Sequence, residues 1–190
     1  QLLTALPRAI AVLTDSALAG PVTLALPQDV QAQAYDYPEA FFTPTLVRIR
    51  GHVPDAVEID VAADMLRAAK QPLIVAGGGV LYSDGGSSAL RRFADAHRVP
   101  VTETQAGKSA LAWDHLLQAG PIGVTGGTAA NALAKAADVV IAVGTRLQDF
   151  TTGSHSLFPQ AQIVAINVNP FDALKWRASP ILGDASSALD

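Results

Sequence analysis

The chain has 190 residues, a net charge of −4 and only 16% charged residues. It has no basic stripe and no apolar run long enough to span a bilayer, so we predict that it binds neither nucleic acid nor membrane. The absence of cysteine excludes disulfides and thiolate metal sites and fits a cytoplasmic protein.

Residues 1–30 carry the pattern of one helix followed by one strand. Pro7 fits the first turn of a helix that Gly20 and Pro21 end. Residues 22–26 form a short apolar run that is typical of a strand. Because a helix and one strand are too small to fold alone, we interpret residues 1–30 as the C-terminal remnant of a preceding domain. An added layer on the main domain is the alternative.

Residues 31–54 are predicted to be a linker, because three prolines interrupt them. Four aromatic side chains would anchor this linker along a protein surface, and a ligand platform is the alternative use. They are Tyr35, Tyr37, Phe41 and Phe42.

Residues 55–190 alternate strand and helix patterns, which predicts an α/β domain with a doubly wound, mostly parallel sheet. Asp55 and Glu58 predict a capping box at the start of its first helix. A second helix follows residue 88, and Thr128 is predicted to cap a third helix that ends near Ala136. Short apolar runs predict strands at residues 73–76, 99–103, 139–143, 162–168 and 180–182.

Glycine-bearing turns follow several of these predicted strands. In a doubly wound sheet all of them lie at one edge, where exposed backbone N–H groups would suit a phosphate or a nucleotide. The alternative is that tight turns simply favour glycine. The dinucleotide fingerprint is incomplete, because Tyr82 stands where its third glycine belongs. The turns contain Gly77, Gly78 and Gly79, then Gly123 and Gly126, and finally Gly144, Thr145 and Arg146.

The chain shows no catalytic constellation. Its four histidines lack the spacing of metal ligands, and Ser154 and His155 have no carboxylate partner for a hydrolase triad. We therefore predict no catalytic residue and no metal ligand.

Several stretches carry a family resemblance. Residues 20–30, Gly-Pro-Val-Thr-Leu-Ala-Leu-Pro-Gln-Asp-Val, resemble the end of the pyrimidine-binding domain of thiamine-diphosphate enzymes. Residues 55–190 resemble their central, Rossmann-like domain. Residues 25–38, 103–113 and 143–153 resemble, more narrowly, the trihydroxycyclohexane-dione hydrolases of myo-inositol catabolism.

The resemblance implies an enzyme that uses thiamine diphosphate and magnesium to open a cyclic dione to a deoxy-glucuronate. The family's activating glutamate and its diphosphate-binding motif lie outside these 190 residues. The fragment alone is therefore expected to be inactive. Its implied partners are the pyrimidine and diphosphate domains of the same chain, within a homo-oligomer, either a dimer or a tetramer.

The resemblance also implies a nucleotide site. Acetohydroxyacid synthase holds FAD in this domain and oxalyl-CoA decarboxylase holds ADP, and their binding loops match the glycine turns and Arg146. Asn167 stands where the synthase has an aspartate, which weakens a ribose contact. Two alternatives are the FAD-binding central domain of another thiamine-diphosphate enzyme, and a free-standing nucleotide-binding module or nicotinamide oxidoreductase.

Overall fold

The computed structural model describes residues 1–49 and 51–190. Residue 50, which belongs to the predicted linker, lies outside the described residues. The chain divides into two compact units, Gln1–Arg50 and Gly51–Asp190. The predicted boundaries at residues 30 and 54 concern the domains of a longer protein, and they stay predictions.

The first unit contains helix α1 (Leu2–Thr14), helix α2 (Gln28–Gln31) and a 3₁₀ helix (Glu39–Phe42). The predicted ends of its first helix were wrong. Pro7 lies inside α1 rather than in its first turn. The helix stops at Asp15, because the Asp15 carboxylate accepts hydrogen bonds from the backbone N–H groups of the next turn, at 2.8 and 2.9 Å.

The strand predicted at residues 22–26 was also wrong, since these residues belong to no strand. Apolar character does not make a strand unless a neighbouring strand pairs with its backbone groups. The predicted linker aromatics pack on each other: the Tyr35 and Tyr37 ring centroids are 4.7 Å apart, and those of Phe41 and Phe42 are 5.5 Å apart.

The second unit is built on a sheet of six parallel strands in the order β3-β2-β1-β4-β5-β6. This is a doubly wound order, with its switch point between β1 and β4. It confirms the predicted fold class. The strands are β1 (Pro72–Ala76), β2 (Val101–Glu103), β3 (Gln118–Pro121), β4 (Val139–Val143), β5 (Gln162–Asn167) and β6 (Ser179–Leu182).

Helices cover both faces of the sheet. Ile74, Ile141 and Ile166 belong to the core on one face, and Leu73 and Val140 to the core on the other. The helices are α3 (Ala56–Ala68), α4 (Gly78–Tyr82), α5 (Gly86–His97), α6 (Thr128–Ala136), α7 (Asp149–Thr152), α8 (Pro170–Ala173) and α9 (Ala185–Leu189), with a 3₁₀ helix at Lys175–Arg177. Within the described residues, no helix is both long and apolar enough to cross a membrane.

The predicted capping box is only half formed. Asp55 accepts a hydrogen bond from the Val57 N–H at 2.8 Å, as predicted. Glu58 was predicted to reach back to Asp55, but its carboxylate accepts the Leu182 N–H at 2.8 Å instead. The prediction failed because the tertiary fold brings an edge strand to this carboxylate. The cap of α6 was also wrong, since Gly127 is the N-cap and Thr128 the first helical residue.

Asp138 joins the starts of β1 and β4. Its carboxylate accepts the backbone N–H groups of Lys70 and Gln71 at 2.7 and 2.9 Å. The hydrogen bond from Lys70, followed by that from Gln71, holds the pKa of Asp138 below its ordinary value.

Candidate nucleotide site at the carboxyl edge of the sheet

The carboxyl ends of β1, β4 and β5 meet at one edge of the sheet, because these strands are parallel neighbours. Gly77 follows β1, Gly144 follows β4, and Asn167 ends β5. The structure thus brings three of the predicted site segments together, as their positions after the strands implied.

The β1 and β4 turns pack backbone against backbone. A Cβ atom added to Gly77 would lie 2.3 Å from the Gly144 carbonyl oxygen, and one added to Gly79 would lie 2.6 Å from the Gly144 Cα. Gly144 also has a φ of +58°, a conformation that favours glycine. These glycines are therefore needed for the close approach of two turns, whether or not a ligand binds there.

The backbone N–H groups of these turns are already paired. Gly77 donates to the Val143 carbonyl at 2.8 Å, Gly79 to the Gly144 carbonyl at 2.9 Å, and Gly144 to the Ile166 carbonyl at 2.8 Å. The prediction that these N–H groups are exposed for a phosphate was wrong, because the sheet edge uses them to close its own turns. A cofactor role for these residues and for Gly78 stays a prediction.

The second glycine loop is fixed by Asn131 of α6, a residue that the sequence analysis missed. The Asn131 amide accepts the Gly123 N–H at 3.1 Å and donates to the Gly123 carbonyl at 2.9 Å. Gly126 donates to the same Gly123 carbonyl at 2.9 Å. Gly123 has a φ of +113°, and an added Cβ would lie 2.5 Å from the Phe150 carbonyl. The only sequence signal was an amide near the start of an alanine-rich helix.

Thr145 and Asn167 make structural hydrogen bonds. The Asn167 amide donates to the Thr145 carbonyl at 3.2 Å, and its oxygen accepts the Asn169 N–H at 3.0 Å. The buried Thr145 hydroxyl accepts the Leu147 N–H at 3.3 Å. Together they hold the chain after β4 against the end of β5.

Arg146 is exposed at this edge. Arg146 forms no ion pair with Asp149 or with Asp172. Asp172 pairs with Lys175 at 2.5 Å instead, and no carboxylate pairs with Arg146 within residues 1–49 and 51–190. Its guanidinium is therefore available to an anion.

A hollow of about 600 Å³ is lined in part by the residues that come directly after Arg146 in the chain. It lies between the segment after β4 and the segment that leads into β6. The Trp176 indole N–H donates to the Leu147 carbonyl at 3.3 Å and so joins the two segments. Residues 147–150, His155, Lys175 and Trp176 line the hollow, and none of them was predicted as a site residue.

Comparison with known proteins identifies the family. Residues 59–190, more than half of the chain, match the family described as "Thiamine pyrophosphate enzyme, central domain". The chain belongs to this thiamine pyrophosphate enzyme family. The match supports the predicted central domain over a nicotinamide oxidoreductase.

Three relatives of this thiamine pyrophosphate enzyme domain carry the description "3D-(3,5/4)-trihydroxycyclohexane-1,2-dione hydrolase". The proteins from Clostridium tetani, Clostridium perfringens and Geobacillus thermodenitrificans are 47%, 48% and 46% identical to it. Each alignment covers 100% of this chain and 30% of the relative. The chain thus spans less than a third of the length of the curated relatives it matches.

A solved structure shares the fold. It is an X-ray structure from Mycobacterium smegmatis described as a thiamin diphosphate-dependent enzyme, with a TM-score of 0.59 and 23% sequence identity. The match covers 77% of this chain and 28% of that chain.

This thiamine pyrophosphate enzyme domain shows no ready-made metal cluster among its described residues. In the part of the chain that the structure describes, no three His, Asp, Glu or Cys side chains come close enough to hold a metal ion. We therefore assign no residue of this chain to a magnesium–diphosphate group.

Proposed function

We propose that this chain is the central domain of a thiamine-diphosphate-dependent hydrolase that opens trihydroxycyclohexane-1,2-dione to a deoxy-glucuronate in inositol catabolism. The observation that carries the proposal is the 47% identity with a protein of that description over the whole chain. Thiamine diphosphate, with magnesium, would supply an electron sink for carbon–carbon cleavage. A homo-oligomer in the cytoplasm is part of the proposal, and the absence of cysteine supports that location.

In this proposal the chain acts as a scaffold rather than as the catalyst. Its parallel sheet is buried on both faces, and its carboxyl edge is closed by hydrogen bonds between the turns. Such an edge supports a rigid interface for the pyrimidine and diphosphate domains of the same protein. The reacting groups then come from those domains.

The test compares the 190-residue chain with the full-length gene product. We expect the full-length protein, supplied with thiamine diphosphate and magnesium, to consume the dione, whereas the 190-residue chain neither turns it over nor binds thiamine diphosphate in isothermal titration. Omitting thiamine diphosphate is the control for the full-length assay. A full-length protein that consumes pyruvate but not the dione would refute the substrate, and micromolar binding of the cofactor by the fragment would refute the scaffold role.

We further propose that the hollow lined by residues 147–150, His155, Lys175 and Trp176 holds ADP or FAD, with Arg146, the residue before this lining in the chain, binding a phosphate. An unpaired guanidinium suits a phosphate, because its fork of donors matches two phosphate oxygens. Leu147, His155 and Trp176 also adopt positive φ angles of 45°, 73° and 64°. Strained non-glycine backbone of this kind clusters at ligand sites.

Arg146→Ala tests this nucleotide site. We expect ADP or FAD to raise the melting temperature of the wild type, and the variant to bind roughly tenfold to a hundredfold more weakly, because one charge-assisted contact is lost. Arg91→Ala, which removes an exposed arginine from α5, is the matched control. If neither nucleotide shifts the wild type at millimolar concentration, the hollow is not a nucleotide site.

A further inference from the structure

A second cavity, of about 510 Å³ and open to solvent on one side, lies in the Gly51–Asp190 unit between one face of the sheet and helices α3, α5 and α9. We name it the α3 cavity. Ile59 and Leu66 of α3, Phe93 of α5, and Ile141 and Ile166 of the sheet form part of its apolar wall. Apolar side chains around an open hollow of this size remain in contact with water, so an apolar ligand that covered them would be stabilised there.

The charged side chains that line the α3 cavity are all basic. They are Arg67, Lys70, His97 and Arg98, and no acidic residue lines it. The chain as a whole has a net charge of −4, so this grouping runs against its composition. Arg67 and His97 lie in the last turns of α3 and α5, where the helix dipole already favours cations. Lys70 and Arg98, by contrast, lie just after these helices and add positive charge that an anionic ligand could meet.

Two of these cations are available to a ligand. Arg67 pairs with Asp64 at 2.5 Å, and the His97 ring packs on the Phe93 ring at a centroid distance of 4.5 Å. Lys70 and Arg98 form no ion pair with a carboxylate of the described residues. The Asp138 carboxylate, which is close in the fold, accepts the backbone N–H of Lys70 rather than its side chain.

The basic residues of the α3 cavity lie at the amino edge of the sheet, where the parallel strands begin. Lys70 immediately precedes β1 and Arg98 precedes β2. Because the sheet is parallel, this edge is opposite the glycine turns and Arg146. The α3 cavity is therefore separate from the candidate nucleotide site and does not depend on the proposed enzyme function.

We propose that the α3 cavity binds a free medium-chain aliphatic carboxylate, with the chain in the apolar interior and the carboxylate between Lys70 and Arg98. The apolar wall removes methylene groups from water, and the two unpaired cations neutralise the head group. The volume lies in the range of small-ligand sites. An uncharged or cationic amphiphile would leave these cations without a counter-charge.

Calorimetric titration of the 190-residue chain, at low salt and below micelle formation, tests this site with octanoate, decanoate, decanol and decyltrimethylammonium. We expect decanoate to bind about fifteenfold more tightly than octanoate, because each buried methylene contributes about fourfold. Decanol should bind about tenfold more weakly than decanoate, and decyltrimethylammonium should not bind detectably.

Variants locate the site. Lys70→Glu and Arg98→Glu should each weaken decanoate at least about tenfold, whereas Arg91→Glu on the exposed surface of α5 should leave it unchanged. Ala63→Leu, which fills part of the cavity, should weaken decanoate without lowering the melting temperature.

Several results would overturn the proposal. One is that decanoate does not bind, and another is that decanol and decanoate bind equally well. A third is that Lys70→Glu and Arg91→Glu lose the same amount of decanoate affinity. Binding to phosphatidylglycerol vesicles that Lys70→Glu abolishes, without binding of free decanoate, would point to a membrane lipid instead. If the melting temperature of Ala63→Leu falls, the charge-reversal variants still decide the question.

Discussion

Gly77→Ala is expected to destabilise the Gly51–Asp190 unit by about 3 kcal/mol, which is the upper range for forcing extra atoms into a packed core. The new Cβ would lie 2.3 Å from the Gly144 carbonyl oxygen and 2.7 Å from the Thr145 Cα. Both contacts are with backbone, so no side-chain rotation relieves them. Urea denaturation should show a lower midpoint, and thermal unfolding should shift down by about 10 °C.

Gly144→Ala should lower the free energy of unfolding more than Gly77→Ala does, because a steric clash and an unfavourable backbone conformation act together. Its Cβ would lie 2.6 Å from the Gly79 Cα, and its φ of +58° is left-handed. The conformational term alone is worth about 1–2 kcal/mol for a non-glycine residue.

Gly85→Ala separates these two penalties. Gly85 has a φ of +75°, but an added Cβ meets nothing within 4 Å. It should therefore cost only the conformational term, about 1–2 kcal/mol. If Gly77→Ala, whose φ is −106°, is no more harmful than Gly85→Ala, the β1 and β4 turns are not tightly packed and the carboxyl edge is more open than described.

Asp184→Ala is expected to cost about 3 kcal/mol, because this carboxylate does two things. It caps α9 by accepting the Ser186 N–H at 3.1 Å and the Ser186 hydroxyl at 2.9 Å, and it accepts the hydroxyl of the buried Ser83. The variant loses the side-chain cap, although the Ser186 N–H keeps the Ser83 hydroxyl oxygen at 3.0 Å, and it leaves the Ser83 hydroxyl without its acceptor. Chemical denaturation of the wild type and the variant measures the difference in free energy of unfolding.

Asp184→Asn should lower the free energy of unfolding less, by about 1 kcal/mol, since an amide oxygen still accepts the three hydrogen bonds but without a charge. Asp60→Ala, an exposed position on α3, should change stability by less than about 0.5 kcal/mol. Combining Asp184→Ala with Ser83→Ala should be less than additive, because both remove the same hydrogen bond. Full additivity would mean that the two side chains do not interact.

The sequence by itself determined the parallel sheet, because its central strands are continuous apolar runs. Residues 139–143 coincide with β4, and residues 73–76 miss only the first residue of β1. Such a run is buried on both faces wherever it folds, so its neighbours in the chain are enough to recognise it. β3 (Gln118–Pro121) has no such run, and it is a strand only because β2 pairs with it.

The sequence also determined which residues gather at the carboxyl edge, since the end of each parallel strand fixes where the next turn lies. Only the tertiary structure decided how those residues are used. The Gly77 and Gly144 N–H groups donate to the carbonyls of Val143 and Ile166. The Glu58 carboxylate accepts the N–H of Leu182, which is 124 residues away in the chain. A hydrogen bond or a cavity depends on groups that are distant in the chain and meet only after folding, and no local pattern encodes that meeting.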